Sequence, residues 1–135
     1  MSCFAVVREA GPGWTDGGIA GQPAVNDHAG FMNALAEEGF ILFAGPLAGT
    51  QSGRLRALLI VDAATEDEIR RRLADDPWVH ADRLVITSIE PWNLIVGAER
   101  LSTRLANWPP SRGGEVDFNV GNRAPHSRRP RRRDL

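Results

Sequence analysis

An imidazole touching a carboxylate is the smallest constellation that can move protons, and this chain offers one place to build it. His28 falls in the first turn of an apolar-faced helix, and Asp75-Asp76-Pro77 forms a corner closing a second helix. His28 shares a helix face with Phe31 and Leu35, at i, i+3 and i+7, so its ring is expected to point inward. The positive end of the helix dipole disfavours an imidazolium there, which suits a general base. Asp76 precedes Pro77 and is biased out of the α region, so its side chain leaves the helix at a set angle. If Asp76 accepts a hydrogen bond from one ring nitrogen of His28, it fixes the tautomer and makes the other nitrogen the better base. His28 and Asp76 are therefore the candidate catalytic pair, with Asp75 as the alternate carboxylate. The bland alternatives are a buried histidine satisfied by a backbone carbonyl and a solvated turn.

Other chemistries are poorly supplied. The chain has no lysine, which removes Schiff-base and P-loop mechanisms. Cys3, His28, His80 and His126 lack the pairing of a zinc site, and no metal or cofactor is expected. Gly11, Gly13, Gly17, Gly18 and Gly21 follow a strand, but Asp16 stands where a dinucleotide fingerprint needs glycine. That segment is expected to be a mobile loop carrying Trp14 over the mouth of a site. Trp78 and Trp92 are candidates to line a cleft, although packing is the commoner role.

The elements that must position the pair follow from periodicity and punctuation. Strands are expected at 3–8, 40–47, 54–62 and 84–92. Helices are expected at 24–38, with Asn26 or Asp27 as N-cap and Gly39 as stop, and at 65–74, where Thr65 and Glu68 form a capping box. The order βαββαβ predicts an α+β, ferredoxin-like domain, an antiparallel sheet with two helices on one face. Phe40-Ile41-Leu42-Phe43 and Ala57-Leu58-Leu59-Ile60-Val61 are apolar at both parities, so the second face needs cover as well. A second copy of the same sheet is the natural cover, making the protein a homodimer through that face.

The net charge of −1 conceals an asymmetry: residues 1–96 carry 7 Arg against 13 acidic residues, and residues 97–135 carry 9 Arg against 4. The acidic body offers no footprint for nucleic acid, and only the tail, with Arg123 and Arg128-Arg129-Pro130-Arg131-Arg132-Arg133, could supply one. Residues 1–96 are read as the folded domain and 97–135 as an extension, largely disordered from about 106, with 98–105 a candidate short helix. No apolar run is long enough to span a bilayer and the N-terminus lacks a signal-peptide pattern, so a cytoplasmic protein is expected.

These residues line up with a family. The run of Val6-Val7, Pro23 to His28 leading into Leu35 and Gly39, Ala44-Gly45-Pro46, Ala57-Leu58-Leu59, Ala74-Asp75-Asp76-Pro77-Trp78 and Ile89-Glu90-Pro91-Trp92 resembles the YciI-like (YCII-related) proteins over residues 2–96. The resemblance implies a dimeric α/β barrel of ferredoxin-like subunits and a His-Asp pair in a cleft, mapping onto His28 and Asp76. One branch of the family resembles dehydrochlorinases of chlorinated hydroxyquinol-type rings, and related barrels include muconolactone isomerases. The Gly-rich first loop and the Arg-rich tail depart from the short family form. Two functions follow as expectations: cofactor-free proton transfer on a small cyclic or aromatic metabolite, or a non-catalytic dimer that binds a small ligand or partner.

Overall fold

The computed structural model describes residues 2–48 and 54–101. Four strands, β1 (Cys3–Ala10), β2 (Ile41–Pro46), β3 (Arg56–Asp62) and β4 (Leu84–Pro91), form one antiparallel sheet in the order β2-β3-β1-β4. The ferredoxin-like arrangement is therefore present, with α1 (Val25–Glu37) and α2 (Glu66–Leu73) as its crossover helices. A third, single-turn helix not expected from the sequence, α3 (Pro77–His80), is inserted before β4.

Alternation along the central strands sends Phe4, Val6 and Arg8 of β1 toward the helices, opposite Val61, Leu59 and Ala57 of β3. Against that row α1 lays Met32 and Leu35, and α2 lays Ile69 and Leu73, which closes an aliphatic core with Ile41 and Phe40. A second buried cluster, at the other end of the sheet, gathers Trp14, Ile19, Leu55, Trp78 and Leu84.

The helix ends explain the boundaries. Gly39 takes φ 85°, a conformation glycine reaches freely, and its N–H bonds Ala36 O while Phe40 N–H bonds Leu35 O, the two bonds of a Schellman stop. At the other end of α1 neither Asn26 nor Asp27 is the cap. The helix begins earlier, behind Ala24 in the left-handed region, with no side-chain cap. The buried stripe is accordingly His28, Met32 and Leu35, with Phe31 only half-buried. In α2 the Thr65 hydroxyl accepts from Glu68 N–H at 3.1 Å, and the Glu68 carboxylate reaches back to Ala64 N–H at 2.8 Å.

The first loop is not a flap over a mouth. Gly11 N–H bonds Arg83 O, Gly13 N–H bonds Asp82 O, and a Cβ on Gly11 would lie 2.5 Å from Asp82 O, so the glycines permit close docking on the α3–β4 connection. Trp14 is buried in this docked loop. Gln22, also buried, accepts from Thr15 N–H at 3.0 Å and donates to Gly18 O at 2.9 Å, tying the loop to itself.

On the face turned away from the helices, Ala5 and Val7 of β1 lie beside Ile60 and Leu58 of β3. A bulge at Leu42 brings Phe43 opposite Ile60 at the edge, where it is 56 % exposed. Trp92, Ile95 and Val96 beyond β4 are exposed as well. Residues 98–101 turn helical. The remainder of the expected 98–105 helix, His126 and the Arg-rich segment lie outside the described residues.

Candidate active site

The site is assembled where β1, α1 and the α2–α3 corner meet. The corner differs from the expected one. Instead of hanging from a helix C-terminus, Asp76 is the N-cap of α3, with Pro77 at the first helical position and the carboxylate accepting from Trp78 N–H at 2.9 Å. Proline fixes the start of the turn, so the carboxylate is pulled inward and placed at a favourable dipole end. Asp75, one residue earlier, is exposed. The structure therefore brings Asp76 and His28 together and leaves Asp75 at the surface.

His28 Nδ1–H donates to both oxygens of Asp76, at 2.8 Å and 2.9 Å, across 48 residues of sequence. His28 is 3 % exposed and Asp76 0 %. The imidazole lies flat on the Trp78 indole, centroids 3.8 Å apart and planes 5° from parallel. Trp78 is held in turn by its indole N–H to Pro23 O at 2.9 Å and by an edge-to-face contact with Trp14, 5.5 Å between centroids at 86°. Of the two tryptophans expected near a cleft, Trp78 is the platform under His28, whereas Trp92 lies 45 % exposed beyond β4.

The residue that sequence reasoning missed is Arg8. It lies 1 % exposed, and its guanidinium donates to Asp76 Oδ2 at 2.9 Å and to Met32 Sδ at 3.2 Å. Its parity gave the signal: Arg8 follows Phe4 and Val6 in the inward row, where a charge demands a buried partner. A β-bulge beside it helps to aim the side chain, since Val7 pairs with Ser88 and Arg8 with Ile86, leaving Thr87 as the extra residue.

The electrostatics follow from burial and from the two partners. Burial pushes the His28 pKa down from its ordinary value, Asp76 pulls it up by hydrogen bond and charge, and Arg8 pushes it down again; the outcome is downward. For Asp76, burial raises the pKa, but the His28 hydrogen bond, the His28 and Arg8 charges and the Trp78 amide outweigh it and hold the carboxyl below its usual range. Burial likewise lowers Arg8, against the pull of Asp76. The arrangement is an ionised carboxylate between a guanidinium and a neutral imidazole whose proton sits on Nδ1. Chemically, Nε2 is then the basic atom.

Among the described residues no three His, Cys, Asp or Glu side chains gather where a metal ion would need them. No described helix is long and apolar enough to cross a membrane.

Comparison with known proteins gives a family and related solved structures. A family model described as YCII-related domain matches residues 12–93, a span that contains His28, Asp75 and Asp76 and begins after Arg8. No curated protein matches the chain. Among solved structures, the 5-chloro-2-hydroxyhydroquinone dehydrochlorinase TftG from Burkholderia phenoliruptrix AC1100, in complex with 2,5-dihydroxybenzoquinone, is similar at 24% identity and a TM-score of 0.48, covering 67% of this chain and 93% of that chain.

Proposed function

We propose that this chain, which belongs to the YCII-related domain family, is a cofactor-free proton-transfer enzyme of lyase or isomerase type, with His28 as the base and Asp76 as its orienting partner. The observation that carries the reading is the Asp76 carboxylate 2.8 Å from His28 Nδ1, which commits that nitrogen to donation and makes Nε2 the proton acceptor. A carbon acid beside a carbonyl in a small cyclic or aromatic compound would lose its proton to Nε2, and the electron pair would move into the enolate. A leaving group such as chloride on the adjacent carbon would then depart, or a proton would return at another carbon. Positioned acid–base help contributes ~10²- to 10⁴-fold, so the substrate must already carry an acidic C–H.

The working unit in this proposal is a homodimer. Val7, Leu58 and Phe43 lie on the sheet face turned away from the helices, Phe43 56 % exposed and Ile60 already buried beside it, and the natural occupant of that face is the same face of a second copy. Sedimentation is expected to show a dimer that Leu58→Glu converts to monomer; a wild-type monomer at micromolar concentration would contradict this part of the proposal.

Burial of the ring favours a second reading. A histidine only 3 % exposed, stacked on a tryptophan and bonded to a paired carboxylate, is also what a polar core knot needs in a non-catalytic ligand-binding dimer. Turnover separates the two. A panel of hydroxyquinones, chlorinated hydroxyquinols and enol-lactones would be assayed with wild type, His28→Ala and Asp76→Asn. The enzyme reading expects folded His28→Ala to lose ~10²- to 10⁴-fold in kcat, whereas full turnover by that variant would end it. Binding of a panel member that is never converted, unchanged in Asp76→Asn, would establish the second reading.

A further inference from the structure

Arg8 lies outside the residues matched by the family model, yet its guanidinium reaches the Asp76 carboxylate at 2.9 Å. We propose that Arg8 is a positioning residue of this site: its guanidinium supplies the single positive charge that balances Asp76, so that the His28 imidazole can stay neutral inside the same buried cluster. The assignment deepens the proton-transfer reading, in which His28 must be neutral, and it can be tested without turnover.

A buried carboxylate needs a countercharge, and two groups here could provide one, Arg8 or a protonated His28. Arginine is cationic throughout the physiological range, so with Arg8 seated at 2.9 Å the trio of Arg8, Asp76 and neutral His28 already sums to zero. A second proton on the ring would leave a net positive charge among groups that are 0–3 % exposed. The stack on Trp78 works the other way, since an indole face attracts a cation, so without Arg8 both Asp76 and Trp78 would favour the imidazolium. The guanidinium is held for its charge more than for saturated hydrogen bonding: its Nε is buried without a hydrogen-bond partner among the described residues, and one of its amino groups is spent on Met32 sulfur.

Among the described residues, Arg8, Asp76 and His28 are the buried ionisable side chains. Among the described residues on the elements around the ring, Asp27 on α1, Asp75 at the corner and His80 on α3 are exposed, Arg83 after α3 is half-buried, and Glu9 of β1 points to the opposite sheet face toward Arg56. Asp76, the N-cap of α3, bonds the ring directly, and Arg8 of β1 acts on it by charge from beside Asp76.

The test is an NMR titration of the His28 ring in a His80→Gln, His126→Gln background, where it is the one histidine left. In the Arg8-containing protein the ring is expected to be neutral at pH 7 with its proton on Nδ1. In Arg8→Met its titration is expected to move up by about one unit or more, and Arg8→Lys, which keeps the charge, is expected to return it most of the way. A folded Arg8→Met whose His28 titrates as before would overturn the proposal. If Arg8→Met does not fold, Arg8→Lys and the parent decide: an imidazolium at pH 7 in either folded protein overturns it, and neutral rings in both support it. Loss of turnover plays no part in these outcomes, so the charge assignment and the enzymatic reading can fail separately.

Discussion

The interior has two ends built on different principles. Around Leu59 and Val61 it is aliphatic, with β1, β3 and both crossover helices contributing side chains that need only shape and hydrophobicity. Around Trp78 the same sheet encloses Arg8, Asp76 and His28, three groups whose burial is tolerable only because each one answers another. The first end can absorb a volume change by local repacking. The second is a coupled network, because removing Arg8 or Asp76 strands a charge and removing His28 takes a hydrogen bond from the buried carboxylate. A small domain that keeps such a network beside an adequate apolar core retains it for something other than stability, and proton transfer at His28 is the use proposed for it.

The sharpest break in this comparison is Asp76→Ala, which leaves Arg8 buried without a countercharge. It is expected to cost about 3–5 kcal/mol, measured by urea unfolding near neutral pH. Leu59→Ala, at the aliphatic end, is expected to cost about 2–5 kcal/mol, but it should lower stability equally at every pH.

The pH profile itself separates the two ends. His28 is held below its ordinary value of 6.5 in the fold, so below that pH the unfolded chain binds the proton first. Stability should be complete above about pH 6.5 and decline as pH falls toward the folded pKa, with a further decline as Asp76 is protonated below its ordinary 3.8. His28→Gln should remove the upper of these declines, seen in unfolding curves collected across pH 4–8; an unchanged profile would mean that His28 is not the titrating group. Smallest of all, Thr65→Ala removes the hydroxyl cap from α2 and should cost ~1 kcal/mol, with no effect on the ring titration of His28.

The aliphatic end was the legible one. Alternation in Cys3 to Arg8 and in Ala57 to Val61, the Gly39 stop and the Thr65/Glu68 cap are local signals, and each produced its element within a few residues. At the polar end the pair His28 and Asp76 could be suspected from residue type and punctuation, but its geometry depends on α3, a single turn too short for periodicity to reveal. Arg8 escaped because a strand's terminal charge is usually solvated, and only the continuation of β1 to Ala10 keeps it inside the sheet. Trp14 was misread for a related reason: a Gly-rich loop looks mobile until the contacts of Gly11 and Gly13 with the distant Asp82 backbone are known.

The central claim, that His28 takes a proton from carbon, is tested most directly by solvent deuterium exchange. Carbonyl-activated ring compounds would be incubated in D2O with wild type and with folded His28→Ala, and deuterium entry next to the carbonyl followed by NMR. Wild-type-dependent wash-in that falls to background in His28→Ala is the predicted result. Equal wash-in by the two proteins would contradict the account, and so would its absence with a compound that demonstrably binds.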